Sequence, residues 1–312
     1  MDKKDKDIIR ILMQHSRTPI TQLAKKIKVS REVATYRLNR LKKEGIILEF
    51  VTEINVQKMG FISAAVFVNV KATRQKEFKE FLAETSFVSW VAELSGVWSF
   101  GFSIIGKTNE ELDQKFSTIY HTFKDTILDH RFLLHKKSTF FYQKYFGDTP
   151  TPTPKKSFTL YTLDKKDKII LQEISKNSRV DCVALSGKTA LTGPAVAQRI
   201  KHLEKSGHIE SYSLFVDVSK IGFFQYSIFI INKNVDEKQK LFNYLRQHKN
   251  VSFIAEYVGD QVIEFGLFVQ DPYELREKLQ EIEEVFPNNR TIEVSLFQKE
   301  FVSIGPPRCV FE

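Results

Sequence analysis

Apolar residues near the start of the chain recur at the spacing of an α-helix. One helix is predicted from about residue 4 to 14, with an inner face formed by Ile8, Ile11 and Leu12. A second, short helix is predicted next, and the apolar residues on one of its faces are Ile20, Leu23, Ala24 and Ile27. Lys28 and Val29 leave room only for a tight connection before the next element.

A third helix is predicted to begin after Ser30, whose hydroxyl is a natural N-cap. Its inner face carries residues at i, i+4 and i+7, which are Ala34, Leu38 and Leu41. Gly45 stands where a glycine commonly ends a helix, and residues 46–54 are typical of a β segment. Three short helices followed by an extended stretch predict a helix-turn-helix with a wing or exit strand.

The segment that follows predicts strands and helices in the order β-α-β-β-α-β. Its strands are expected near residues 63–71, 88–95, 98–105 and 126–135, and its helices near 75–85 and 109–122. The same order returns later, with strands near 225–232, 251–258, 261–269 and 289–301 and helices near 236–248 and 272–285. This is the order of a ferredoxin-like domain, an antiparallel sheet backed by two helices.

The sequence repeats itself at a fixed distance. A shift of 162 residues aligns residues 2–61 with 164–223 without a gap and gives 19 identities in 60 positions. The pentapeptide DKKDK opens both stretches. Beyond residue 61 the similarity weakens and then resumes, with VAELSG at 91–96 against IAEYVG at 254–259. The chain therefore contains two copies of one unit of about 150 residues.

These observations predict an α+β protein made of two repeats. Each repeat is a winged helix-turn-helix domain, at residues 1–60 and 161–222, followed by a ferredoxin-like βαββαβ domain, at 61–146 and 223–312. A Thr/Pro linker is predicted between the repeats at residues 147–160. Alternating Thr-Pro favours an extended, semi-rigid spacer that reaches roughly 3 Å per residue.

Composition adds what the chain is not expected to contain. Two cysteines, Cys182 and Cys309, are too few for a disulfide framework and lack metal-ligand spacing. No basic-then-apolar signal opens the sequence, and the longest apolar stretch, residues 223–231, is too short to span a bilayer. We therefore expect a cytoplasmic protein without a metal or a cofactor.

The net charge of +9 is distributed unevenly. Residues 1–61 carry +7 and residues 163–223 carry +3, so the rest of the chain carries −1. The positive charge therefore lies on the two predicted helix-turn-helix segments, where contacts with DNA phosphates require it. A solvated basic face is the simpler interpretation for any single helix, but it does not explain why the excess is confined to these two segments.

The stretch DKKDKDIIRILMQHSRTPITQLAKKIKVSREVATYRLNRLKKEGII, at residues 2–47, resembles the DNA-binding domain of the Lrp/AsnC (feast/famine) transcriptional regulators. The β-α-β-β-α-β part resembles that family's effector-binding and dimerisation domain. Ordinary members carry one unit per chain and dimerise through the sheet domains. The resemblance therefore implies a prokaryotic, sequence-specific DNA-binding regulator whose two fused units form an internal pseudo-dimer.

The third helix of the first copy is the predicted recognition helix. Opposite its inner face stand Glu32, Tyr36, Asn39, Arg40 and Lys43, and near its N-terminal end stand Arg31 and Thr35. A helix in the major groove contacts base edges with side chains near its N-terminus, where Arg and Asn make bidentate contacts to guanine and adenine. We expect this helix to supply the sequence specificity.

The second copy has lost most of this set. The same positions hold Pro194, Gln198, Lys201, His202 and Lys205, with Gly193 and Ala197 in place of Arg31 and Thr35. We expect the second copy mainly to contact phosphates, or not to touch DNA. The alternative that Gln198 and His202 contact bases stays open.

Two residues are identical in both copies although the recognition faces diverged. Arg37 and Asp5 of the first copy correspond to Arg199 and Asp167 of the second. Arg37 lies at the flank of the inner face, near enough to the first helix to pair with a carboxylate. We favour a structural ion pair over a phosphate contact.

In the family that this chain resembles, small effectors, often amino acids, bind between paired sheet domains near the loop that joins the second and third strands. That loop usually carries a Gly-Asp pair, which the second copy has at Gly259 and Asp260. The first copy has Gly96 and Trp98 there and lacks the acid. The resemblance implies at most one working effector site, and a tight glycine turn explains both glycines without a ligand.

Motifs of enzymes are missing from the sequence: the seven histidines are scattered, and no HExxH, GxSxG, Walker-type or GxGxxG pattern occurs. Siroheme decarboxylases, however, resemble paired Lrp/AsnC-like units. A tetrapyrrole with several carboxylates needs basic and histidine side chains around it, and the strands ISAAVFVNV and FQYSIFIIN offer none. Another alternative is an effector-binding module that has lost DNA binding, which the charge distribution disfavours for the first copy.

Pairing of two chains stays open as well. The stretches at residues 138–146 and 301–311 carry apolar residues without an obvious place in the sheets. Such residues could lie in the interface of a homodimer.

Overall fold

A computed structural model describes residues 1–147, 161–232, 234–259, 262–302 and 305–312. Residues 148–160, which make up most of the predicted linker, and Asp260 of the predicted effector loop lie outside the described residues. The chain divides into two compact units. The first comprises the described parts of Met1–Phe61, Pro152–Asp217 and Ile304–Glu312, and the second those of Ile62–Thr151 and Val218–Ser303.

The first unit contains both helix-turn-helix copies. The first copy comprises α1 (Lys3–Gln14), α2 (Ile20–Ile27), α3 (Arg31–Lys43) and β1 (Ile47–Ile54). The second comprises α6 (Lys165–Lys176), α7 (Cys182–Thr189), α8 (Gly193–Lys205) and β6 (Ile209–Val216). The predicted order of three helices and a strand is confirmed in both copies.

The repeated pentapeptide DKKDK forms the cap of the first helix in each copy. A side-chain oxygen of Asp2 accepts a hydrogen bond from the backbone N–H of Asp5 (3.0 Å), and Asp5 accepts one from the backbone of Asp2 (3.1 Å). Asp164 and Asp167 form the same reciprocal pair at 2.8 and 3.2 Å. This capping box satisfies two N–H groups at the start of the helix, and so explains why both copies have aspartates at the first and fourth positions of the pentapeptide.

The two copies meet with approximate twofold symmetry. β1 and β6 pair antiparallel, with Val51 opposite Ser213, its equivalent 162 residues later. Ser16 Oγ lies 2.5 Å from Ser178 Oγ, so that two equivalent hydroxyls share one hydrogen bond in a buried position. Equivalent residues in contact are the mark of an isologous interface, here inside one chain.

The second unit contains the two βαββαβ copies. The first comprises β2 (Ile62–Val70), α4 (Gln75–Glu84), β3 (Val88–Gly96), β4 (Phe100–Gly106), α5 (Asn109–Thr122) and β5 (Ile127–Phe140). The second comprises β7 (Phe224–Asn232), α9 (Val235–Gln247), β8 (Val251–Tyr257), β9 (Val262–Val269), α10 (Pro272–Val285) and β10 (Asn289–Val302). Both have the predicted ferredoxin-like order.

The two ferredoxin-like sheets join into one closed sheet. The strand order is β10-β3-β4-β2-β5-β8-β9-β7, and β7 pairs again with β10. One apolar cluster lies between the first copy's strands and its helices, and another does the same in the second copy. A third cluster combines side chains of both copies, among them Phe67, Trp98, Phe229 and Tyr257. The sequence predicted the two sheets but not their closure.

Closure corrects the predicted end of the fourth strand. β5 continues five residues beyond the expected end at residue 135, and its last part pairs with β8, with Phe140 opposite Phe253. A strand edge that stays unpaired exposes N–H and C=O groups, which the partner strand here satisfies.

Some apolar residues of the stretches at 138–146 and 301–311 pack inside the chain. Phe141 and Tyr145 are buried in the second unit, and Val310 is buried in the first. Lys144 is buried too, and its ammonium donates to the last carbonyls of α9, 2.7 Å from Arg246 O and 2.9 Å from His248 O. Phe140 of the first stretch, in contrast, is 45% exposed.

Two further observations concern the described residues only. None of their helices combines the length and apolar character needed to cross a membrane. Nor do three or more His, Cys, Asp or Glu side chains come together there as a set of metal ligands.

Candidate nucleic-acid interface

α3 turns a polar face away from its domain. Ser30 Oγ accepts the backbone N–H of Val33 at 3.3 Å, which confirms the predicted N-cap, and the three apolar residues of the inner face are buried. The exposed residues include six of the predicted recognition set, Arg31, Glu32, Thr35, Tyr36, Asn39 and Lys43. Tyr36 is 67% exposed, which leaves its ring available to a partner.

Arg37 ties α3 to the start of α1. Its Nη1 lies 2.7 Å from Asp2 Oδ2 and 2.9 Å from Asp5 Oδ1, and Asp5 is only 1% exposed. The backbone N–H of Asp5 and the guanidinium of Arg37 lower the pKa of Asp2 to about 2. The predicted pairing of Arg37 with a carboxylate at the start of α1 is confirmed.

Arg40 lies differently from the other residues of the predicted recognition set. Its Nη2 is 2.5 Å from Asp5 Oδ2 and its Nε is 3.8 Å from Glu44 Oε1, so the guanidinium is directed at α1. Arg37 and Arg40 together occupy both oxygens of the buried Asp5 carboxylate. The structure therefore gives Arg40 a role inside the domain that the sequence did not predict.

The second copy keeps one of these contacts and replaces the other. Arg199 Nη1 lies 2.7 Å from Asp164 Oδ2 and 2.9 Å from Asp167 Oδ1, the same distances as in the first copy. His202 stands where the first copy has Arg40, and it does not reach the acid. Instead the hydroxyl of Tyr161 donates to Asp167 Oδ2 at 2.8 Å, and the Tyr161 ring lies 6.2 Å from that of His202.

Tyr161 lies just before the repeated stretch, which begins at residue 164. An alignment of the two copies therefore does not include it. Burial raises its pKa to about 12, which keeps the hydroxyl protonated as a donor. At the equivalent carboxylate oxygen, the second copy thus has the neutral donor Tyr161 where the first copy has the cation Arg40.

The outer face of α8 is exposed as well, but its chemistry differs. Thr192 Oγ1 accepts the N–H of Ala195 at 3.4 Å and caps the helix. The exposed residues are Pro194, Gln198, Lys201, His202 and Lys205, and Gly193 and Ala197 are half-buried. This face offers two lysines to phosphates, and no arginine or asparagine to bases.

The loop between β3 and β4 is closed by its own residues. Gly96 has φ +132°, and a Cβ there would lie 2.5 Å from the carbonyl oxygen of Val294, so only glycine fits. Trp98 is 4% exposed, and its indole N–H donates to Glu293 Oε2 at 2.7 Å. The predicted effector residue Trp98 is thus a core residue whose ring is covered.

At the corresponding position after β8, the described residues Val258 and Gly259 are exposed. Gly259 has φ +97°, a left-handed conformation, and a Cβ there would meet no atom within 4 Å. Val258 beside it is 61% exposed. The predicted partner Asp260 lies outside the described residues.

Comparison with known proteins agrees with this arrangement. A model of winged helix-turn-helix DNA-binding domains matches residues 1–47 and 163–210. An uncharacterized HTH-type transcriptional regulator of Pyrococcus furiosus is 32% identical over 149 residues, 46% of this chain and 96% of that protein. The HTH-type transcriptional regulator LrpA of Pyrococcus horikoshii is 31% identical over 116 residues, 36% of this chain and 80% of that protein. The chain belongs to the Lrp/AsnC family.

This Lrp/AsnC-family chain differs from these relatives because it contains two sequence repeats, each about as long as one whole relative. One solved structure matches nearly the whole chain, including both repeats. It is the siroheme decarboxylase NirDL, with a TM-score of 0.63 and 12% identity over 97% of this chain and 93% of that one. The same enzyme with an iron-uroporphyrin III analogue gives 0.64 and 13% over 98% and 94%. At this identity the likeness shows a shared fold and leaves the activity open.

Proposed function

We propose that this Lrp/AsnC-family chain is a cytoplasmic, sequence-specific transcriptional regulator that binds double-stranded DNA. The observation that carries the proposal is α3, a capped helix whose inner face is buried and whose outer face presents Arg31, Tyr36 and Asn39. A helix held in this way can enter the major groove without rearrangement. The net charge of +7 on residues 1–61 favours the approach to phosphates.

We propose that the two copies divide the work. Arg31, Tyr36 and Asn39 contact bases, with Glu32, Thr35 and Lys43 beside them, and Arg40 acts by holding α3 against α1. In the second copy Lys201 and Lys205 contact phosphates. Gln198 and His202 are exposed and keep open the alternative that α8 also contacts bases.

Recovery of bound fragments from the sheared source genome at near-physiological salt tests this proposal. Asymmetric sites with one defined half and one loose half are expected. Symmetric palindromes would show that α8 contacts bases as specifically as α3. A failure to enrich any fragment would remove the regulator proposal.

A pair of variants tests the division of work. Asn39→Ala should cost about 1–3 kcal/mol of binding free energy and relax the preference at one base position. Lys201→Ala should weaken binding to all sequences alike and reduce the salt dependence. If Gln198→Ala cost as much specificity as Asn39→Ala, the asymmetry would be wrong.

We propose that a small effector such as an amino acid acts through the loop after β8. The exposed Gly259, where a Cβ would meet no atom within 4 Å, supports this choice, because Gly96 and Trp98 of the first copy are enclosed. Calorimetric titration of the full chain with amino acids should give at most one site per chain. Two equal sites would refute the choice of loop.

Siroheme decarboxylase activity is the second candidate, favoured by the fold shared over nearly the whole chain. Against it stands the third apolar cluster, in which buried side chains of both sheet copies pack together. We propose that the protein is not an enzyme of this kind. Siroheme added to the purified chain should leave the Soret band of the free compound unchanged, and a shifted band with release of carbon dioxide would reverse this conclusion.

We also propose the five-segment division at residues 60, 146, 160 and 222 as the domain organisation. This division implies that the two repeats of one chain act together as an internal pseudo-dimer. One purified chain should then occupy one asymmetric site, which sedimentation of the complex measures.

A further inference from the structure

The closed sheet has an approximate twofold symmetry that relates its first half, residues 62–147, to its second half, residues 218–302. On β5, Arg131 is paired with Phe67 of β2, and on β10, Glu293 is paired with Phe229 of β7. Phe67 and Phe229 are 162 residues apart, and so are Arg131 and Glu293. Arg131 and Glu293 are therefore equivalent positions of the two halves.

Equivalent residues meet across this axis. The rings of Phe67 and Phe229 lie edge to face, with centroids 5.0 Å apart. Beside them, the guanidinium of Arg131 forms an ion pair with Glu293 Oε1. The same guanidinium lies 5.6 Å from the Trp98 ring centroid and 5.7 Å from that of Phe229.

The Glu293 carboxylate is buried, and each of its two oxygens has a partner. Glu293 is 8% exposed, its Oε1 faces Arg131, and its Oε2 accepts the indole N–H of Trp98. A buried carboxylate needs such partners, because removal from water disfavours its charge. Trp98 therefore adds a donor from the first half to an acid of the second half.

Opposite charges at equivalent positions have a consequence for pairing. If two first halves came together in this way, arginine would face arginine, and two second halves would place glutamate against glutamate. Like charges brought together out of water oppose association, and interfaces use this effect to exclude wrong partners. A first half facing a second half is the combination in which the charges cancel.

We propose that the Arg131–Glu293 pair makes the two sheet halves specific for each other. The interaction surface of each half fits an opposite half of this chain, and it rejects a second copy of itself or the sheet of a relative that carries the same charge. This inference rests on the closed sheet alone and holds whether or not the protein binds DNA.

Charge reversal in the full-length chain tests the proposal. R131E and E293R should each lower the melting temperature and promote larger assemblies, since like charges then face each other. The double variant R131E/E293R restores opposite charges and should recover most of the loss, with a remainder because Trp98 then faces a cation. K76E and E80K are matched controls, because Lys76 and Glu80 form a pair that is 85% and 62% exposed.

Two results would overturn the proposal. One is a double variant whose melting temperature is no higher than that of the less stable single variant. The other is a pair of single variants as harmless as the controls. Either would show that the ion pair does not decide which surfaces meet.

Co-expression separates specificity from mere stability. R131E and E293R chains with different affinity tags carry complementary defects, since exchange of halves between them restores opposite charges in both closed sheets. The two tags should co-purify several-fold more than two tagged wild-type chains do. Co-purification no greater than in the wild-type pair would refute the assignment of specificity to these residues.

Discussion

Arg37 and Arg199 make the same contacts at the same distances, yet their loss should have unequal effects. Arg37→Ala leaves the buried Asp5 with Arg40, whose Nη2 is 2.5 Å away. Arg199→Ala leaves the buried Asp167 with the neutral hydroxyl of Tyr161 at 2.8 Å. Only the second variant strands a buried carboxylate without a cation.

The difference can be sized from general values for ion pairs. Removal of one partner of a buried pair costs about 3–5 kcal/mol, and the Arg199 side chain is 27% exposed, so we expect about 3 kcal/mol for Arg199→Ala. Because Arg40 still neutralises Asp5, we expect about 1 kcal/mol for Arg37→Ala.

Hydrogen–deuterium exchange on the full-length chain measures each helix separately. Arg199→Ala should speed exchange of the α6 amides by a factor of roughly 100, and Arg37→Ala that of the α1 amides by about 5, since 1.4 kcal/mol is tenfold. Lys3→Ala and Lys165→Ala, exposed lysines at equivalent positions, control for the loss of one positive charge.

Equal acceleration in α1 and α6 would refute the reasoning, because it would mean that Arg40 and Tyr161 support their acids equally well. A larger effect in α1 would refute it as well. If Arg37→Ala left exchange unchanged and abolished DNA binding, Arg37 would be a phosphate contact.

Three more perturbations follow from single contacts. Tyr161→Phe should cost about 1–2 kcal/mol, seen as faster exchange in α6 alone, because Asp167 loses a donor; unchanged exchange would remove that role. Gly96→Ala should cost about 2–3 kcal/mol and Gly259→Ala about 1, since both have positive φ but only the first meets a backbone oxygen; equal melting temperatures would contradict this. Burial raises the pKa of Glu264 from 4.5 to about 7, so the folded state holds a proton that the unfolded state releases. Stability should fall as pH rises through this window, and a melting temperature that falls as steeply in Glu264→Gln would assign the decline to other groups.

Much of the fold could be predicted because local sequence patterns determine its helices and strands. Ser30 as a cap, the buried Ala34, Leu38 and Leu41, and the repeat distance gave the helix-turn-helix in both copies. The closure of the sheet could not be predicted, because pairing between β5 and β8 depends on contacts over 100 residues apart and leaves no periodic signal in either strand.

The candidate site shows the same division. The outer face of α3 follows from helical spacing, so its exposed residues were found from the sequence. Spacing predicts which face a residue occupies but not which neighbour a long side chain reaches, so it does not predict the contact of Arg40 with Asp5. Tyr161 was missed because its only signal is a place in the fold beside Asp167.

The serine contact between the two helix-turn-helix copies suggests how far each part of the chain has moved from its unfused ancestor. A serine tolerates its own copy on a twofold axis, because one hydroxyl can donate while the other accepts. Ser16 and Ser178 would therefore still suit two separate, identical polypeptides. Arg131 and Glu293 would not. Cut between its repeats, this chain should therefore yield two polypeptides whose sheets prefer each other to a second copy of themselves.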